Sequence, residues 1–233
     1  MYSMTYLGEM NAIEVRFRRR ATVDERVSDV FADLVSRLRT IDYLAASPSM
    51  EVPVLDLGTG ESAAANLTSL LGTGFSGAVS FASRLPKAIC DRAISDDVLV
   101  LRIPRDQADF RLLALEVFPT VIEAFQPYRA FAITDMEQDL DDFEAICEEA
   151  QRTGRDVDGR DSVFKIQPID FFDEELCRRS FGKSAQGVAQ CMSGNVVSAQ
   201  TISNGVMVTL TPSPLADREA NERSKAILRL LSV

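Results

Sequence analysis

Eight carboxylates crowd one short stretch of this chain: Asp135, Glu137, Asp139, Asp141, Asp142, Glu144, Glu148 and Glu149, with no Lys or Arg among them. Carboxylates at that density can hold a hard cation, share protons as an acid/base pair, or present a negative face to a basic partner. The DxDxDG loop with its terminal Glu that marks a calcium site is absent, so no metal is expected. At about 100° per residue the stretch reads as a helix. Leu140, Phe143, Cys147 and Ala150 then face inward, while Asp141, Glu144 and Glu148 share one outer stripe. Glu144 and Glu148 are like charges one turn apart, a cost of about 0.2–0.5 kcal/mol. Glu148 and Glu149 also lie toward the negative end of the helix dipole. A solvated face with acids at its start accounts for part of this pattern; a basic partner would reverse the remaining cost.

Other reactive groups are few. The chain has no histidine, which removes Ser-His-Asp and Cys-His machinery and histidine zinc sites. Its four cysteines, Cys90, Cys147, Cys177 and Cys191, form no CxxC pair. Asp170, Asp173, Glu174 and Glu175 around Phe171-Phe172 could be imagined as a carboxylate active site. The simpler reading makes Asp173 a helix N-cap, puts Glu174 and Glu175 in the first turn, and anchors the two Phe in the core. Arg16, Arg18, Arg19 and Arg20 could bind phosphate, but in so acidic a chain they are expected to pair with carboxylates. No catalytic residue is assigned, and the chain is read as a non-enzyme.

One further motif resembles a cofactor site. Val54-Leu55-Asp56-Leu57-Gly58-Thr59-Gly60 is similar to the first motif of S-adenosylmethionine-dependent methyltransferases, where glycines let backbone amides approach the cofactor. Ser62 stands where that pattern has its third glycine, and the next expected strand, 78–82, ends without the acid that would hold the ribose. A turn closing a buried strand accounts for the glycines. No cofactor is expected, and a methyltransferase stays as the alternative.

The elements that would carry these groups follow from periodicity. Residues 12–20 alternate as a strand. Thr22-Val23-Asp24-Glu25 is a capping box opening a helix whose buried stripe runs through Val23, Val27, Val30, Leu34, Leu38 and Ile41. The apolar run 98–103 reads as a strand covered on both faces. A helix over 109–125 is kinked by Pro119. A strand over 128–134 leads into the acidic helix, and a polar stretch at 153–161 divides the chain into two possible lobes of one domain spanning 1–233. A strand over 162–169 and short helices over 174–180 and 185–192 come next. Asn204-Gly205 is then the expected two-residue turn of a hairpin over 196–211, and a last helix runs over 215–231. A chain that closes with a hairpin and a helix predicts α+β with a mixed or antiparallel sheet.

Composition sets the partners. Of 233 residues, 46% are apolar and 26% charged, enough for a buried core. Against 25 Lys and Arg stand 35 Asp and Glu, a net charge of −10 that disfavours nucleic acid and anionic membrane and favours basic proteins. No secretory signal is read at Met1 and no run approaches about 20 apolar residues, so a cytoplasmic protein with reduced thiols is expected.

The second half carries a resemblance. The run Lys165-Ile166-Gln167-Pro168-Ile169-Asp170-Phe171-Phe172-Asp173-Glu174-Glu175-Leu176-Cys177, followed by Phe181-Gly182, resembles the C-terminal signature of the immunity protein 52 family. Asn204-Gly205-Val206, the helix start Pro214-Leu215-Ala216-Asp217-Arg218-Glu219-Ala220, and Tyr128-Arg129 before the acidic helix are similar to the same pattern, which is strongest over 98–231. The resemblance implies a bacterial immunity protein that neutralises a toxin delivered by a type VI or related secretion system. The implied partner is a cognate, basic-surfaced domain of restriction-endonuclease-like fold. It transfers no catalytic residue. An adaptor or assembly protein with no toxin partner is the remaining alternative.

Overall fold

Ile13, Val15 and Phe17 alternate with Glu14, Arg16 and Arg18 along β1 (Ala12–Arg20), and that alternation places the strand at the centre of the sheet. The structure is a computed structural model that describes residues 12–45, 53–57, 62–155, 159–213 and 217–232. β1 pairs on one side with β5 (Asp96–Pro104) and on the other with β6 (Arg129–Ile133). Beyond β5 lie β4 (Ser76–Phe81), β3 (Ala63–Asn66) and β2 (Asp56–Leu57); beyond β6 lie β7 (Ile169–Asp173), β9 (Gly205–Thr209) and β8 (Ser198–Ile202). The described strands form one nine-stranded sheet in the order β2-β3-β4-β5-β1-β6-β7-β9-β8, antiparallel at every pairing. The α+β class with an antiparallel sheet and a closing hairpin and helix is the architecture observed.

Two apolar clusters sit on opposite faces. On the first, Ile13, Val15, Phe17, Leu99, Leu101, Phe171 and Met207 pack against α1 (Val27–Leu38) and a helix over 110–125. That helix starts as α2 (Phe110–Leu112), where the Asp109 side chain accepts the amides of Arg111 and Leu112. Pro119 lacks the amide that would bond four residues back, and a π turn at Leu113–Val117 absorbs the mismatch before α3 (Phe118–Phe125). On the second face, Tyr128, Phe172, Val206 and Val208 pack against α5 (Glu174–Phe181), α6 (Ala185–Met192) and α7 (Asp217–Leu231).

Several expectations need correction. The capping box does not form: α1 starts at Val27 with no side-chain cap, Val23 lies ahead of it and is exposed rather than part of the buried stripe, and Glu25 is taken by Arg19 and Arg84 instead. β5 is not covered on both faces, because Leu99, Leu101 and Ile103 are buried while Val98 and Val100 are only partly so. The strand expected over 162–169 lies instead at Ile169–Asp173, where two aspartates are buried with arginine partners. The hairpin turn is Ser203-Asn204, one residue early, and Ser203 takes the positive φ of 51°. Gly205 opens β9, where a Cβ would lie 2.3 Å from the Phe172 carbonyl oxygen.

Candidate functional site

The acidic stretch is helical, as α4 (Met136–Thr153), and lies over the second face of the sheet beside β1 and β6. Lys165 reaches up from the segment before β7 and places its Nζ 2.6 Å from Asp142 and 3.4 Å from Asp139. The Gln167 Nε2 donates to the same Asp139 carboxylate at 2.9 Å. Glu149 pairs within the helix with Arg152 at 2.6 Å, and that hydrogen bond holds its carboxyl below the ordinary range. Glu144 and Glu148 are exposed on the outward side. The Asp135 backbone carbonyl accepts the Asp139 amide at the helix start. The side chains of Glu137, Leu140 and Asp141 lie outside the described residues. The expected inner stripe is only partly inward: Ala150 is buried, Cys147 is half-buried, and Phe143 is 49% exposed.

Between α4 and α7 runs a groove of about 190 Å³ whose floor is Ala145, Ile146 and Phe164, with Asp142, Asn221 and Lys225 at its rim. An apolar floor with a charged rim is the make-up of a small protein-interface core.

The arginines of β1 are used inside the molecule. Arg18 pairs with Asp96, Arg19 with Asp97 and Glu25, and Arg20 with Asp173 at 2.5 Å. Arg84 also binds Asp97, Arg160 also binds Asp96, and Arg129 lies 3.7 Å from Asp170. Each cation offsets a carboxylate that burial would otherwise make very costly. Asp173 caps α5 by accepting the Leu176 amide, and Phe171 and Phe172 are buried on opposite faces of β7, as expected.

Burial pushes Asp170 up to about 7 against the opposing pull of Arg129, and pushes the Cys177 thiol up to about 12, where it is inert at neutral pH. Among the described residues no three Cys, Asp or Glu side chains converge as a metal centre requires. The glycines of the GxG turn lie outside the described residues. The strand leading to it, β2, is an edge strand antiparallel to β3, whereas a dinucleotide-type site uses parallel βαβ units.

Lys165 and Gln167 were missed as partners of the acidic helix. They stand more than 20 positions from the carboxylates they bind, and the only signal was their place at the head of the quoted signature.

No protein-family model matches the chain, and no curated protein does. A solved structure is similar: the Pseudomonas aeruginosa T6SS protein PA0821. It aligns over 95% of this chain and 74% of its own, with a TM-score of 0.56 and 12% identity. The two share a fold. Among the described residues no helix is long and apolar enough to cross a membrane.

Proposed function

We infer that this chain is an immunity protein of a type VI secretion system, one that binds and neutralises a cognate nuclease-like toxin without turning over a substrate. The observation that carries the reading is the division of charge around α4. Lys165 pairs with Asp139 and Asp142 on the inner flank, and Glu144 and Glu148 are left exposed on the outward side, turned away from the α4–α7 groove. A nuclease keeps a cationic surface for phosphates, and the outward carboxylates of α4 would steer such a surface to encounter while apolar contacts slow its release. The fold shared with a T6SS protein and the resemblance of the 165–177 run to immunity proteins point to the same setting.

The test is co-expression with the toxin encoded by the adjacent gene, together with calorimetry on the purified pair. Protection, and binding weakened about tenfold or more by combined Glu144→Lys and Glu148→Lys with a flatter salt dependence, is the expected result. Unchanged affinity would move the interface off α4, and no protection would overturn the function.

A further inference from the structure

Residues 184–216 contain no Asp, Glu, Lys or Arg, the longest uncharged run in a chain that is 26% charged. The fold gathers that run at one end of the sheet, as α6, β8, the Ser203-Asn204 turn and β9. Val188 and Met192 of α6 pack with Val206 and Val208 on the second face, and Ala199 of β8 lies against them. The end strand of an acidic molecule and the helix over it thus carry no formal charge.

Among the described strands β8 is the last on its side of the sheet. The tight turn makes Ile202 and Gly205 the first hydrogen-bonded pair of the hairpin, and Gln200 with Met207 the next. Ala199 and Thr201 therefore turn their N–H and C=O away from β9, and no hydrogen bond from another part of the chain meets them. Gln200 and Thr201 are exposed. Open edges are ordinarily blunted by charge, proline or shortness. The opposite edge obeys that rule, since β2 is two residues long and carries Asp56. β8 has none of these guards.

An unpaired edge takes an extended strand, because only a backbone matches its alternating donors and acceptors. Charge then selects the strand. A basic surface finds no carboxylate on β8 to steer it, whereas two copies at −10 each meet least repulsion along an uncharged edge. We propose that two copies of this chain join by antiparallel pairing of β8 with β8, about a twofold axis through Gln200. Every residue of the strand is then matched: Ser198 lies opposite Ile202 of the other copy, Ala199 opposite Thr201, and Gln200 opposite itself. Each Ala199–Thr201 pair exchanges both of its outward N–H and C=O groups, and the two Gln200 amides lie side by side. The contacts repeat by symmetry, as an isologous interface requires. The axis is normal to the joined sheet, so the two α6 helices come to the same side, with Gln186 and Gln190 exposed and no charge on either. α4 lies beside β1 and β6, with β7 and β9 between it and the edge. The dimer and the toxin-binding reading therefore stand or fall separately.

One strand pair makes a small interface, so the test is the mass of the full-length protein, without toxin, by size-exclusion chromatography with light scattering up to about 100 μM, where a micromolar dimer is mostly formed. Twice the chain mass is expected at the upper end. Thr201→Pro takes an outward amide from each copy and none from the β8–β9 ladder, and should raise the dissociation constant about tenfold or more. Gln200→Glu, an exposed change the monomer tolerates, sets two carboxylates opposite each other and should weaken the dimer severalfold. In a Cys90→Ser, Cys147→Ala, Cys191→Ala background, Gln200→Cys should form an inter-chain disulfide on mild oxidation. Thr201→Cys, displaced along the strand from its own copy, should not. A monomer across the concentration range overturns the proposal, whether solvent or another segment of the chain meets the edge. So does a dimer in which Gln200→Cys cross-links no faster than Thr201→Cys, because its contact lies elsewhere. A monomer whose Gln200→Glu variant loses toxin binding would assign the edge to the toxin and overturn it as well.

Discussion

The Tyr128 hydroxyl donates to the Asp96 carboxylate across 2.7 Å, with both side chains fully inside the protein. Arg18 and Arg160 hold the other sides of the same carboxylate, at 3.1 and 2.6 Å. One group thus ties β5, β1, the start of β6 and the segment before β7. Burial raises both the Asp96 and Tyr128 pKa values above their ordinary ranges, against the pull of the two arginines. Removing the phenolic donor leaves a buried carboxylate one bond short. Tyr128→Phe is expected to lose about 1.5–3 kcal/mol, the worth of a hydrogen bond to a charged group, read as a lower urea midpoint at unchanged slope.

Gly205 is needed for close approach, since a Cβ there would meet both the Phe172 carbonyl oxygen at 2.3 Å and the Phe171 ring at 2.6 Å. Gly182 is needed for conformation alone, with φ of 65° at the end of α5 and nothing within 4 Å of an added Cβ. Gly205→Ala should therefore cost about 3 kcal/mol or more, and Gly182→Ala only about 1–2 kcal/mol. Thermal melts of the two variants side by side check the ordering.

Asp170 is completely buried, faces Arg129, accepts the Gln167 amide, and titrates near 7, well above its unfolded value. Between about pH 4 and 7 the folded state holds a proton that the unfolded chain has released, so this group's contribution falls as pH rises through that window. Asp96 and Asp173, also raised by burial, act in the same direction. Asp91 and Glu149, lowered by Arg179 and Arg152, act oppositely and only at more acid pH. Wild-type stability by urea denaturation should be greater at pH 5.5 than at pH 8, and Asp170→Asn should flatten that difference by about 1–3 kcal/mol.

Lys165 ties α4 to the body of the protein through Asp139 and Asp142. Lys165→Ala should leave the global unfolding midpoint nearly unchanged and raise amide exchange along α4 by about tenfold, a local opening rather than a global one. Hydrogen exchange resolved to peptides distinguishes the two.

Local patterns were legible where a single element satisfied its own residues. The alternation in β1, the cap at Asp173 and the bounds of α6 follow from neighbours a few positions apart. What failed depended on distant partners. Thr22 to Glu25 has the letters of a capping box, yet Arg19 and Arg84 hold the glutamate. Asp170 and Asp173 argued against a buried strand at 169–173 because their cations, Arg129 and Arg20, stand 41 and 153 positions away in the chain. At the candidate site, the acidic helix and its outward Glu144 and Glu148 were readable. The neutralisation of its inner flank by Lys165 was not, since helical periodicity says nothing about what lies beneath.

The first of the described strands is the one the sheet needs at its middle. β1 finds its hydrogen-bonding neighbours at Asp96–Pro104 and Arg129–Ile133, so about 110 further residues must leave the ribosome before β1 is paired on both sides. Until then Ile13, Val15 and Phe17 are an apolar edge in search of a template, the kind of segment that chaperones shield and that aggregates when they do not. Closure of the sheet at β1 is therefore a long-range event, of the kind that makes folding slow compared with local helix formation.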